Sequence, residues 1–372
     1  MLPSCARASR RVHPGAGCPM KIALIAPPFI PVPPVRYGGT ELHLAHLARG
    51  LRQLGHHPVV FANGESSIED AELRYLYPRA EWPLRDGLYS SLKDLNHSGW
   101  ACREAAADCD LIHLHNAPGL TFSRYLDRPV AYTVHHPWEP PLAEFYRHFP
   151  AVQFVAISRR QALGYRLPRL QVIPHGLDMS AYRPGGEKRE WLAFLGRIAP
   201  IKGVHAAIAV ARRCGLPLKI AGEIQPLFRD YWEQRIRPQL DRQIEYIGEV
   251  GLEGKNELLG RAVALLFPIE WEEPFGLVMV EAMACGAPVL AFARGAAPEI
   301  VSPRVSGWLC QDVDEMARRA ADPGIPAASC RAWAAAHFSL ERMAADYAAL
   351  YQHMLLSAPR PAASGQPAVL AA

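Results

Sequence analysis

From Lys21 onward, short apolar runs alternate with stretches in which apolar residues recur every three or four positions. Runs of that length bounded by turn residues are strands, and recurrence at helical spacing marks amphipathic helices. Strands are predicted at Lys21–Ala26, Pro58–Ala62, Leu111–His115, Val130–His135, Phe154–Ile157 and Gln171–Ile173. A helix over Thr40–Leu54 sets Leu44, Leu47, Ala48 and Leu51 on one face, and Gly55 ends it. A polar break at residues 178–190, containing Pro184-Gly185-Gly186, is the predicted linker. The alternation then restarts, with strands at Trp191–Leu195, Pro217–Ala221, Ile244–Ile247, Ala264–Pro268 and Pro288–Phe292. Helices are predicted at Gly203–Cys214, Arg229–Leu240, Leu252–Ala262, Gly276–Cys285 and Asp312–Ala321. Strands this apolar are covered by helices on both faces, which is the α/β class with parallel sheets. The chain thus divides into two doubly wound, Rossmann-like domains, residues 20–177 and 191–338, facing an interdomain cleft. A last helix, within residues 339–356, places Met343, Tyr347, Leu350, Tyr351 and Met354 at helical spacing. Its polar face is not basic, so it is expected to cross back and dock on the first domain.

The bulk numbers add limits. A length of 372 residues suits two cores rather than one. A net charge of +4 is too mild to imply a nucleic-acid partner. The eight cysteines are scattered without a C-x-x-C pair, so buried thiols in a reducing cytoplasm are expected. No run approaches the roughly 20 apolar residues of a membrane span, although peripheral membrane contact stays open. Residues 1–19 are basic and lack an apolar signal-peptide core, so they read as a disordered extension, with Met1 or Met20 as the start. Residues 357–372, rich in Ala, Pro and Ser, read as a loose tail.

The chemistry concentrates in Glu270-Trp-Glu-Glu-Pro-Phe-Gly-Leu-Val-Met-Val-Glu281, a strand-to-helix turn. Phe275-Gly276-Leu277 opens the helix, where free backbone N–H groups suit a phosphate or a sugar hydroxyl. Glu273 and Glu281, one before the helix and one about two turns along it, suit the hydroxyls at the two ends of a sugar nucleotide.

This string resembles the E-x7-E donor motif of the retaining glycosyltransferases of family 4, and the resemblance extends over about residues 20–355. Leu195-Gly-Arg197-Ile-Ala-Pro-Ile-Lys202-Gly203 is similar to the family's G-R-x-x-x-x-K-G element, which implies that Arg197 and Lys202 hold the donor diphosphate. Gly38-Gly39-Thr40 matches its glycine-rich loop, with Thr40 also readable as a helix cap. Tyr132-Thr133-Val134-His135-His136 resembles its strand-end T-x-H, with His135 as the match at the reaction centre and His136 as runner-up. Ser158, His175, Gly176 and Asp178 match weaker elements on the acceptor side or hinge, and Glu299 one that supports the nucleotide loop. Gly222, Glu223, Glu249 and Val250 fall where the family seats the base.

The resemblance implies a GT-B fold and transfer of a hexose, with retention, from a nucleoside-diphosphate sugar, most simply a UDP-sugar. His135, Arg197, Lys202 and Glu273 would be catalytic, and Gly38, Gly39, Gly222, Glu249, Val250, Phe275, Gly276, Leu277 and Glu281 would bind the donor. Nothing in the sequence is read as offering the D-x-D metal-ligand pattern, so neither metal nor cofactor is expected. Alternatives of the same architecture are a sugar-nucleotide 2-epimerase and a silent nucleotide-sugar-binding protein. Residues between Asn63 and Asp110 match no family element, leaving the acceptor unassigned.

Overall fold

The computed structural model describes residues 18–357 except 37, 83, 85, 86, 187 and 188. The expected N-terminal extension up to residue 17, the tail from 358 and two linker positions lie outside these residues. Seven strands form the first sheet: β1 (Lys21–Ile25), β2 (His57–Ala62), β3 (Glu72–Tyr75), β4 (Leu111–Leu114), β5 (Val130–Val134), β6 (Gln153–Ala156) and β7 (Leu170–Val172). Its order is β3-β2-β1-β4-β5-β6-β7, parallel throughout. The second sheet holds β8 (Trp191–Leu195), β9 (Leu218–Ala221), β10 (Ile244–Tyr246), β11 (Ala262–Phe267), β12 (Val289–Phe292) and β13 (Gly307–Cys310). Its order is β10-β9-β8-β11-β12-β13, again parallel. Strand order reverses between β1 and β4, and between β8 and β11. At such switch points the carboxyl ends of the strands open a crevice.

Helices α1 (Gly39–Gln53), α2 (Leu88–Asp108), α3 (Pro140–Arg147) and α4 (Arg159–Tyr165) belong to the first domain. The second holds α5 (Val204–Cys214), α6 (Arg229–Tyr231), α7 (Leu252–Gly260), α8 (Leu277–Ala284), α9 (Ala297–Ile300), α10 (Val313–Ala321) and α11 (Ala327–Phe338). The last helix, α12 (Leu340–Ser357), lies on the first domain. Leu44, Leu47, Ala48 and Leu51 of α1 share one core with Met343, Tyr347, Leu350, Tyr351 and Met354 of α12. Each buried leucine there contributes on the order of 1.5–3 kcal/mol. The helices touch at Gly50, where a Cβ would lie 2.5 Å from that of Ala344.

The chain leaves the first domain at Leu177 and returns at Ser339, and the two crossings pair. Leu177 N–H donates to the Phe338 carbonyl (2.9 Å), and Leu340 N–H to that of Leu177 (2.8 Å). The domains also meet through Arg49–Asp178 (2.5 Å), Arg160–Glu272 (2.8 Å) and Trp82 Nε1–Glu223 Oε1 (3.0 Å).

Several predicted elements need correction. The Arg229–Leu240 helix is broken into α6, a π turn over Trp232–Ile236 and a 3₁₀ turn over Arg237–Gln239. Pro238 lacks the N–H that a continuing helix needs. The predicted Leu252–Ala262 helix stops at Gly260, and Ala262 and Val263 start β11 instead. Strands β3 and β13 went unpredicted because both are short sheet edges without the apolar run of a central strand. Helix α2 lacks a helical signal because the pattern of its first half is inverted. Lys93, His97 and Ser98 are buried while Leu88, Tyr89 and Leu92 are exposed.

Candidate active site

The second-domain wall is made where strands end and helices begin. At the end of β9, Gly222 has φ +152°, and a Cβ there would lie 1.8 Å from the Gly196 carbonyl oxygen. Only glycine lets the loops after β8 and β9 pack this closely. Arg197 projects between them and donates from Nη1 to Gln225 Oε1 (3.5 Å). Gly276, with φ +88°, turns the chain from the loop after β11 into α8, so the amino end of that helix faces the cleft. Lys202 Nζ and Glu273 Oε2 meet at 2.5 Å, both largely buried. Trp271 Nε1 donates to the same carboxylate oxygen (2.8 Å), and its ring lies 4.4 Å from Lys202 Nζ. Burial draws the Lys202 ammonium below its usual pKa, against the pull of Glu273.

Glu281 is buried and accepts from Lys255 Nζ (2.7 Å) and Tyr182 Oη (2.9 Å) through one oxygen. It lies little more than one turn into α8, not two as expected, because the helix starts only after the Gly276 turn. Lys255, Tyr182 and Trp271 had no signal in the sequence, since each becomes recognisable only by its carboxylate partner.

The first-domain wall is made of imidazoles. His43 of α1, His115 after β4, His135 after β5 and His175 after β7 converge, with ring centroids 4.3 Å apart for His43–His175 and 5.3 Å for His115–His135. His115 Nδ1 and His135 Nε2 are 3.0 Å apart. Burial, reinforced by neighbouring imidazoles, holds all four well below the usual histidine pKa, so they are neutral at pH 7. His113 behind them is fully matched, through Nδ1 to Tyr351 Oη (2.6 Å) and Nε2 to Thr133 Oγ1 (2.8 Å). Motif matches pointed to His135 and His175, whereas His43, His113 and His115 carried no such signal.

One cleft of about 760 Å³ separates the walls. It is lined by His135, Arg197, Lys202, Glu273, Gly38, Gly39, Gly222, Glu249, Val250, Phe275, Gly276, Leu277 and Glu281, so every predicted site residue comes to one place. His136 is exposed outside it. Thr40 does not cap α1, whose N-cap is Gly38. Glu299 does not line the cleft. It crosses between domains and accepts from the Arg159 and Arg160 N–H groups (2.8 and 2.6 Å) that open α4. Two D-x-D strings do occur, away from the cleft. Asp108 pairs with Lys21 (2.6 Å) while Asp110 accepts from its N–H (2.7 Å), and Asp312 caps α10 while Asp314 pairs with Arg213 (2.7 Å).

Residues 37–181 match the family model described as Glycosyltransferase Family 4, and residues 189–322 the one described as Glycosyl transferases group 1. The chain belongs to this glycosyltransferase family. The transferase is 25% identical over 382 residues to the glycogen synthase of Mycobacterium tuberculosis, covering 85% of this chain and 89% of that one. Among solved structures it resembles AviGT4, a glycosyltransferase involved in avilamycin A biosynthesis, at 26% identity and a TM-score of 0.68, over 91% of this chain and 99% of the other. Anabaena HepE, solved with UDP and glucose, shares the fold at 20% identity and a TM-score of 0.71, over 90% of this chain and 100% of the other. The transferase has the GT-B fold, two Rossmann-like domains about one cleft. Among the described residues, no helix is long and apolar enough to cross a membrane.

Proposed function

We propose that the chain moves a hexose, with retention of anomeric configuration, from a UDP-sugar to an acceptor, with no metal ion at the diphosphate. The observation that carries this reading is the Lys202–Glu273 pair at the opening of α8, with Arg197 and His135 lining the same cleft. A diphosphate at the α8 opening competes with Glu273 for Lys202. Once parted, Lys202 and Arg197 take up the charge that develops on the departing phosphate, and Glu273 accepts hydrogen bonds from the sugar hydroxyls. Glu281, held by Lys255 and Tyr182, is placed to accept from the ribose, and Gly222, Glu249 and Val250 border the base. The acceptor hydroxyl attacks the anomeric carbon from the face the diphosphate leaves, passing its proton to a departing phosphate oxygen. Two fixed cations do the work that a divalent ion does elsewhere. The complex of HepE with UDP and glucose supports UDP as the donor's nucleotide. A cytoplasmic location accords with the seven described cysteines all being unpaired.

The test follows product stereochemistry by NMR in chelator-treated protein, using UDP-glucose and a panel of sugar acceptors. The reading expects product of the donor's own configuration and no loss on chelation. Inverted product overturns retention, and loss on chelation overturns the metal-free step. Before an acceptor is known, UDP-glucose at 100 times its dissociation constant should add about 2.7 kcal/mol of stability.

A further inference from the structure

The imidazole wall holds more nitrogen than sugar transfer uses. One ring nitrogen from each of His43, His115 and His135 lies within 4.8 Å of the others. His43 and His115 are only 1% and 4% exposed. Among the described residues, neither nitrogen of His43 has a hydrogen-bond partner, nor has Nε2 of His115 or Nδ1 of the adjacent His175. Each such buried group costs about 1–3 kcal/mol, which a core of Leu, Met or Phe would avoid. His113, in the same cluster, has both nitrogens matched by hydroxyls. His43, in front of His113, has neither nitrogen matched, and His115 has only Nδ1 matched, by His135.

We infer that His43, His115 and His135 form a binding site for a transition-metal ion of the zinc class, with His175 beside it as a further donor, and that occupancy slows sugar transfer. Imidazole selects zinc, copper or nickel over magnesium or calcium, which prefer oxygen ligands. Zinc–nitrogen bonds of about 2.0–2.1 Å set tetrahedral ligands roughly 3.4 Å apart. The His115–His135 pair, 3.0 Å apart, is already near that separation, and all three ligand nitrogens lie within 4.8 Å of one another. Three imidazoles leave a coordination position open. His135 is the least buried of the three and lines the cleft. A His135 nitrogen that binds metal is withdrawn from the sugar. The inhibitory half rests on the proposed transfer reaction, whereas the binding half does not.

The experiment uses the full chain stripped with a chelator. Zn²⁺ should raise the melting temperature where equal Mg²⁺ does not. Co²⁺ as a probe should give the visible d–d absorption of a nitrogen-ligated ion, saturating at one equivalent, without a cobalt–thiolate charge-transfer band. H43Q and H115Q should each weaken Zn²⁺ binding by about 10–100-fold, a loss of the size seen even for outer-shell partners. Absence of a zinc shift, a thiolate band, or unchanged affinity in a folded H43Q protein overturns the site. The wild-type cobalt spectrum decides the matter if the variants do not fold. Zn²⁺ should also slow transfer, with recovery on chelation. One-to-one binding with an unaltered rate overturns the inhibitory half alone, and failure of every donor to react leaves the binding arms to decide the site.

Discussion

The two walls of the cleft are built by different means. In the second-domain wall, Arg197, Lys202, Glu273 and Glu281 come from two short strings, residues 196–203 and 268–281, each running from a strand end to a helix start. The facing wall takes His43, His115, His135 and His175 from four separate segments. Phosphate chemistry needs cations beside backbone N–H groups, and one strand–turn–helix connection supplies both. A cluster of neutral imidazoles needs burial, which only the packed sheet and α12 provide. The charged groups of one wall are therefore local in the chain, and the other wall is a product of folding.

The contrast is sharpest in Lys202→Ala. Transfer should fall by about 10²–10³-fold, measured as initial rate at saturating donor, because a charge-stabilising group is lost. His135→Asn should cost nearer tenfold, since a neutral ring contributes a single hydrogen bond worth roughly 0.5–1.5 kcal/mol. Equal losses would erase the distinction between the walls.

Acidification should single out the first domain. Burial lowers His46 and His97 to about 4 and His113 to about 3, against about 6.5 in the unfolded chain. Below pH 6.5 the unfolded chain binds protons that these folded rings refuse. Their stabilisation is complete above that pH and declines as pH falls, at roughly 1.4 kcal/mol per ring per pH unit. Glu41, raised to about 7 by burial, and Asp94, raised to about 6, act in the opposite sense. The buried histidines outnumber them, so the net effect between pH 6.5 and 5 should be a loss of a few kcal/mol. A melting temperature flat over that range would break this account.

Gly50→Ala should destabilise by about 1–3 kcal/mol in urea unfolding, because α1 and α12 have no room for a methyl group. Stabilisation, the outcome for an exposed helical glycine, would mean that α12 is not seated there. The smallest effect belongs to Glu299→Gln, about 0.5–2 kcal/mol from a weakened cap on α4. Its UDP affinity should be unchanged, and a weakened affinity would return Glu299 to the nucleotide loop.

Strand positions and the apolar face of α12 were legible because apolar periodicity reports burial directly. The same rule failed at α2, whose buried face carries Lys93, His97 and Ser98, and where Lys93 is neutralised by Glu81 at 2.7 Å. It also failed at β3 and β13, which have one neighbour each and little apolar surface to hide. Residues 196–203 and 268–281 were legible as candidate strings because a strand-to-helix turn is written in consecutive letters. Their partners Lys255, Tyr182 and Trp271 were silent, since a lysine or tyrosine acquires meaning only from the carboxylate it faces. His135 was visible as a strand-end match, and His175 as a weaker one. The company of His135, and the neutral state that burial imposes on it, exist only once β4, β5, α1 and the segment after β7 are packed, because contact across four segments is a property of the fold.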